Sequence, residues 1–373
     1  MQGESHRKLR KVLEQLEPRD IRGVIIYSNG SCDVLSPSYL HYFSEVRPLG
    51  PHNAAVVSRT GAAVLLVEPA WEVVRARRRS WIRDVRGTDD FLRDLKAAVR
   101  DLGVTGPVGV IGAKQMTESI YSGIEKELDI HLMDPIFDDI ARDKDEREIA
   151  FARKAGRITD AGFRAFLEHT RIGIRECELL AEVEFAMRSA GANENFNLIS
   201  SGKHNYAMHA PSDRRLMPGD IVIGEITASC EGQFVQVCRT VILGKPSTLL
   251  SDRYAMLAKA LEEALGQVKS GVPASSISVA INRIISDAGY AKYCYPPYMR
   301  ARGHGFGAAT ADPGTVIDDE TKVNFEKNQV VVVHPNQYLP ETGYLACGET
   351  VLVTDTGMER LSKSDSKLYV KEV

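Results

Sequence analysis

Apolar runs long enough to cross a membrane are missing from this chain of 373 residues: the longest blocks, such as Val330 to Val333, fall far short of the roughly 20 residues a spanning helix needs. The segment from Met1 to Lys8 carries no secretory apolar core, so the expected address is cytoplasmic, with no membrane partner. Excess charge is missing too. Lys and Arg total 47 against 50 Asp and Glu, a formal net charge of -3, which offers phosphate backbones no electrostatic footprint and argues against nucleic acid as a partner. Cysteine is sparse. Cys32, Cys177, Cys230, Cys238, Cys294 and Cys347 include no C-x-x-C pair and no zinc-knuckle spacing, so free thiols in a reducing compartment are expected. Tandem repeats and low-complexity tracts are absent. What is present is an ordinary globular composition, 43% apolar and 26% charged. At roughly 150 residues per domain, this length suggests two domains.

The pattern along the chain is mixed α/β. Leu9, Val12, Leu13 and Leu16 fall at helical spacing, and Gly23 to Tyr27 reads as a buried strand. Ala54–Val57 and Ala63–Val67 read as a hairpin, Leu92–Leu102 as a helix, Val108–Ile111 as a strand, and 116–127 as a further helix. The texture changes near Asp138–Arg142, which sets the expected domain boundary: 1–140 and 141–373. Beyond it, Ile149, Ala152, Ala155, Ile158, Gly162 and Phe166 form one apolar stripe on a long helix. A second helix runs to Gly191. Asp220–Glu225 and Phe234–Leu243 form strands about a Glu231-Gly232 turn. Helices are expected from Ser251 and from Pro273, and strands at 329–334 and 349–354.

Three histidines stand in settings that ask for an explanation. His304 lies in Arg302-Gly303-His304-Gly305-Phe306-Gly307, where glycines leave the imidazole unhindered. His209 lies in the polar stretch His204–Arg214, and His334 ends an apolar strand ahead of Pro335-Asn336. Glu225, at the end of one strand, and Glu349, opening another, join them. A carboxylate at an apolar strand edge is costly unless paired, liganded or left in water. For each residue alone, a structural histidine or a solvated glutamate is the commoner case.

The order of these segments resembles the superfamily of creatinase, Xaa-Pro dipeptidase, aminopeptidase P and methionine aminopeptidase. The resemblance rests on Arg142–Ile149, on Ser201–Arg214, on the lead-in Leu216-Met217-Pro218-Gly219-Asp220, on Gly303–Gly307 and on Glu349–Gly357. It covers nearly the whole chain and implies an α/β (α+β) architecture: an N-terminal creatinase-like α/β domain followed by a pita-bread C-terminal domain. Peptidases of that superfamily hold two divalent metals with two aspartates, one histidine and two glutamates, a set suited to a dinuclear hydrolytic centre. At those positions this sequence has Glu225, Gln236, His304, His334 and Gly348, with Glu349 one residue later; only His304 is unchanged. A later histidine of the peptidases is replaced within Ala311-Asp312-Pro313.

Gln236 cannot supply a bridging charge and Gly348 supplies no ligand, so the leading expectation is a metal-independent, creatinase-like hydrolase of a C–N bond in a small polar substrate, with no cofactor. In it, His209 would shuttle the proton, while His304, His334, Glu349 and Glu225 would orient water, polarise the scissile group or fix a tautomer. Arg47, Arg214 and Arg239 are candidates to grip a substrate carboxylate, beside Tyr206, Asp213 and Gln236. The resemblance also implies a homodimer, with Arg47 supplied by the partner subunit. A second expectation keeps one divalent transition metal, Fe or Zn, on Glu225, His304 and His334, in a lyase or another non-hydrolytic enzyme. A third is a non-catalytic pita-bread binding protein.

Overall fold

The computed structural model describes residues 2–30, 35–299, 301–307 and 312–372, without the side chains of 2–6 and 312–314. Cys32, Ala311 and the side chains of Asp312 and Pro313 fall outside the described residues. Cα packing divides the chain into one unit up to Ala141 that also takes in Gly307, and a second unit beginning at Arg142.

The first unit runs α1 (Gln2–Leu16), β1 (Gly23–Ser28), α2 (Tyr39–Ser44), β2 (Asn53–Ser58), β3 (Ala63–Val67), α3 (Val73–Arg79), β4 (Asp84–Gly87), α4 (Phe91–Asp101), β5 (Val108–Ile111), α5 (Glu118–Glu125), β6 (Ile130–Leu132) and α6 (Asp134–Arg142). Its sheet has the order β4-β3-β2-β1-β5-β6, antiparallel through the β1-β2-β3 meander and parallel at both flanks. Strand alternation explains why nearly every strand residue is apolar. Val24, Ile26, Ala55 and Leu65 enter one core, and Ile25, Tyr27, Ala54 and Val64 enter another on the opposite face.

The second unit runs α7 (Glu146–His169), α8 (Glu176–Ser189), β7 (Glu194–Gly202), β8 (Ile221–Cys230), β9 (Gln233–Leu243), α9 (Thr248–Leu265), α10 (Ala274–Ile285), β10 (Gly303–Gly305), β11 (Asp312–Val316), β12 (Val330–Val333), β13 (Gln337–Leu339), β14 (Gly343–Leu345), β15 (Glu349–Val353), β16 (Met358–Arg360) and β17 (Tyr369–Lys371). Helix α7 starts at a capping box: Asp145 accepts from the Glu148 backbone N–H at 2.8 Å, and Glu148 accepts from the Asp145 N–H at 3.0 Å. The β8–β9 hairpin turns on Glu231 and Gly232, both at positive φ (50° and 80°), the conformation a two-residue turn of this hand demands. The helix expected from Ser251 starts a turn earlier, because Ser247 caps it by accepting from the Leu250 N–H.

Two sheets carry the site, β17-β9-β8-β7 and β11-β10-β12-β15-β16, beside the small ribbon β13-β14. One face of β8 and β9 turns to α7, where Gly224 lies against the Phe166 ring. The other face contributes Ile221, Ile223, Cys238 and Ile242 to a core shared with α9, α10 and the valines of β12 and β15. Glu225 and Gln236 stand on that second face.

Candidate functional site

The hairpin register pairs Glu225 with Cys238 and Thr227 with Gln236, so all four side chains rise from one face. Sequence reading ended the first strand at Glu225. The strand continues to Cys230, so this carboxylate sits mid-strand rather than at a solvated edge. The Gln236 amide donates to Glu225 Oε1 at 3.1 Å and to Thr227 Oγ1 at 3.0 Å. Thr350 clamps the Gln236 backbone, accepting from its N–H at 2.9 Å and donating to its carbonyl at 2.7 Å. Cys238 Sγ lies 3.9 Å from Glu225 Oε2 and accepts from Asn336 Nδ2 at 3.6 Å. Burial pushes the Glu225 carboxyl up to about 7, against the pull of hydrogen bonds from Cys238 and Gln236.

His304 is set on β10 between glycines for a steric reason. Gly303 has φ 153°, and a Cβ there would run into the Val332 carbonyl. His304 Nδ1 lies 3.1 Å from the Gly305 carbonyl. His334 follows β12 with its N–H on Arg302 O at 2.9 Å, and its ring centroid is 5.8 Å from that of His304. Its Nδ1 is buried without a hydrogen-bond partner among the described residues. Burial, then the neighbouring His304 and Arg302, lowers the imidazole to about 3, so it is neutral at ordinary pH.

Glu349 and Arg239 meet each other on the opposite face. Arg239 pairs in register with Gly224, and its guanidinium stands 5.7 Å over the Phe163 ring of α7. It donates to Glu349 Oε2 and to Ser364 O and Oγ, each at 2.8 Å, and to the Cys238 and Gly348 carbonyls. Both charged side chains are fully buried. The roles expected for them, orienting water and gripping a carboxylate, give way to this internal pair. Burial raises Glu349 to about 7 while Arg239 draws it down.

Arg214 is likewise engaged inside the fold. It forks onto buried Asp220 at 2.6 and 2.9 Å and donates to Ser201 Oγ at 2.7 Å. Asp213 is exposed, 3.2 Å from Arg175. Exposed His209 has Nδ1 2.8 Å from the Ala210 carbonyl, and its N–H donates to Ser200 Oγ at 2.8 Å. Tyr206, 79% exposed, lies near-parallel to Tyr338, which stacks in turn on Tyr298; His204 and Tyr293 pack edge-on or tilted against them. Tyr338 is cross-strand neighbour to half-buried Tyr344, whose hydroxyl is pushed up first by burial and then by the Glu225 charge. Arg47 is exposed in the first unit, where its carbonyl accepts from Arg75 at 2.7 Å.

Sequence reading missed Asn336, Tyr344 and Arg302. Buried Arg302 donates to Asn282 Oδ1, the Asn336 carbonyl and Gln337 Oε1, tying the strand of His304 to the segment after His334. The available signal was polar Asn336-Gln337 directly after an apolar strand. Glu176 was missed as well. Burial opposes its charge, but hydrogen bonds from Ser201 and Ser212, four in all, hold it below its ordinary value and fix the segment leading to His209.

Opposite linkages follow for chelator-treated protein. Folded Glu225 keeps its proton to about 7 where the unfolded chain releases it near 4.5, so this group removes stability as pH rises through that window, by about 3 kcal/mol. Folded His334 stays neutral down to about 3 where the unfolded chain takes a proton below 6.5, so it removes stability as pH falls. Between the two unfolded values the slopes oppose. Replacing His334 by Ala leaves the Glu225 slope uncompensated, and urea-unfolding free energies of the variant, relative to the parent, should decline steadily with pH there. Parallel curves would contradict the His334 assignment.

The donor set does not fit a dinuclear metal centre. Gln236 points an N–H at Glu225, Gly348 has no side chain, and Glu349 is bound to Arg239. Among the described residues no three His, Cys, Asp or Glu side chains stand close enough together to hold a metal ion. No described helix is long and apolar enough to cross a membrane.

The kinship of the chain corrects the leading expectation. Residues 150–355 match metallopeptidase family M24. A Xaa-Pro dipeptidase of Pyrococcus horikoshii is 26% identical over 97% of this chain and 98% of its own length, and that of Pyrococcus furiosus is 26% identical over 90% and 94%. Among solved structures, a prolidase from Pyrococcus furiosus aligns with TM-score 0.82 at 25% identity over 95% of this chain and 99% of its own. An X-Pro aminopeptidase from Thermotoga maritima aligns with TM-score 0.85 at 22% identity over 97% and 99%, a likeness of fold. A metal-independent, creatinase-like hydrolase without cofactor is therefore not what the relatives support: the matched family is one of metallopeptidases, and the relatives are Xaa-Pro dipeptidases. With more than half of its length matched, this two-domain α/β chain of pita-bread fold belongs to metallopeptidase family M24.

Proposed function

We propose that this chain is a hydrolase cleaving a C–N bond in a short peptide or peptide-like molecule, at a centre other than the standard dinuclear one. The observation that carries the reading is the polar group Glu225, Gln236, His304 and His334 on inner faces of the second unit, with His334 Nδ1 buried and unpartnered among the described residues. A buried polar atom without a partner costs about 1–3 kcal/mol, and a bound substrate or ion supplying that partner accounts for it. The names of the relatives, Xaa-Pro dipeptidases, support that substrate class.

In this reading His304 and His334 face the scissile group. Glu225, held near 7 by burial, exchanges a proton at its carboxylate oxygen near neutral pH. His209 and the exposed ring of Tyr206 contact the substrate from the loop between β7 and β8. A divalent ion, where bound, would polarise the carbonyl; the residues as placed define no preformed cage for one. Incubating the protein with a panel of dipeptides, Xaa-Pro sequences included, in Mn(II), Co(II) or Zn(II), should release free amino acid from a subset. No release across the panel, with no thermal stabilisation by any member, would overturn the proposal in favour of a binding protein without catalysis.

A further inference from the structure

We propose that the centre of this chain takes no more than one divalent ion, because the position of the last carboxylate of the dinuclear set is closed rather than merely empty. Gly348 forms a tight antiparallel bridge with Cys238: its N–H donates to the Cys238 carbonyl at 3.0 Å, and the Cys238 N–H donates back at 3.2 Å. A Cβ on Gly348 would stand 2.6 Å from His334 Cβ and 3.2 Å from both Cβ and Sγ of Cys238. Gly348 is not among the glycines at positive φ, so its backbone conformation admits a side chain and only space forbids one. The tightest contact is with a Cβ, which no rotamer of His334 moves. A carboxylate here would require the bridge to open and Arg239 to lose its bond to the Gly348 carbonyl.

The Gln236 position is closed from another direction. Its amide N–H groups point at Glu225 and Thr227, and Thr350 holds its backbone from both sides. Both amide N–H groups are thus spent on Glu225 and Thr227, its oxygen lies 4.0 Å from Cys238 Sγ, and a neutral amide supplies none of a carboxylate's bridging charge. Glu225, His304 and His334 remain on three separate strands or strand ends, without a carboxylate between them.

This inference goes beyond the hydrolase reading and does not depend on it. Chelator-stripped full-length protein, titrated calorimetrically with Mn(II), Co(II) or Zn(II) and analysed for metal after desalting, should show one ion per chain or fewer. Two ions per chain bound with Kd below about 10 μM would overturn it. The steric lock is read separately by thermal unfolding of metal-free Gly348→Ala, His334→Gly and the double variant. Gly348→Ala should lower Tm by about 5 °C or more, and the double variant should lose less than the sum of the two singles. A Gly348→Ala protein as stable as the parent, or strictly additive losses, would remove the lock. Should Gly348→Ala fail to fold, recovery of folded protein by the double variant carries the same meaning, and the ion count of the unaltered chain decides independently. Failure of peptide turnover would remove the hydrolase reading and leave this ion count standing.

Discussion

Replacing Arg239 by Met should cost about 3–5 kcal/mol of folding free energy, because a fully buried carboxylate, Glu349, then loses the guanidinium it is paired with. Against a total of about 5–15 kcal/mol, that is a large fraction, readable as a fall in Tm of about 10 °C or more. The loss extends beyond the ion pair, since the guanidinium also satisfies the Gly348, Cys238 and Ser364 carbonyls. Glu349 responds by holding a proton. Since Glu349 beside Arg239 already keeps its proton to about 7, parent and variant lose stability together up to that pH; above it the variant's folded carboxyl stays neutral while the unfolded chain is ionised, so the deficit grows there. Adding Glu349→Leu should recover part of the loss, since removing both charges is milder than stranding one. An Arg239→Met protein with unchanged Tm would refute the structural assignment and return Arg239 to the list of substrate contacts.

His304→Ala should lower kcat/KM on any peptide substrate by about 10³-fold, within the range of a removed acid, base or orienting imidazole, while Tm stays close to that of the parent. The imidazole is half-buried, and its ring lies against the Gly305 carbonyl, Phe306 and His334. Combining His304→Ala with His334→Ala should cost little more than the first alone, as expected of groups acting in one unit. A His304→Ala enzyme with full turnover would place the chemistry elsewhere on the molecule.

How much of this could be read from residues alone differs from element to element. The β8–β9 hairpin was legible because Glu231-Gly232 interrupts two apolar strands, and α7 because its apolar stripe holds for about five turns. The glycine-flanked His304 was legible from its motif, in which Gly303 serves a close backbone approach. The extent of β8 was not. Ile226 to Cys230 continue the strand past Glu225, and a carboxylate in mid-strand becomes tolerable only once Gln236, eleven residues on, supplies a donor. Arg239 illustrates a different failure. Strand alternation already put it on the face away from Gln236, but its partner Glu349 lies 110 residues downstream, and no local pattern announces such a pair. Gly348 looked like a missing ligand. That it is also a close-packing requirement depends on Cys238 and His334, brought beside it only by tertiary structure.

The kinship and the residues address different levels. Membership in a metallopeptidase family sets the fold and the reaction class, whereas the side chains at the centre set how much of the family's ion-binding apparatus this chain retains. The most direct measurement is mass spectrometry of the products formed from a responsive dipeptide in H₂¹⁸O with one divalent ion supplied. Hydrolysis predicts one ¹⁸O atom in the newly formed carboxylate together with a free amine, both formed about 10³-fold more slowly by His304→Ala. Products without ¹⁸O, or the same products at an undiminished rate from the His304→Ala protein, would contradict the account.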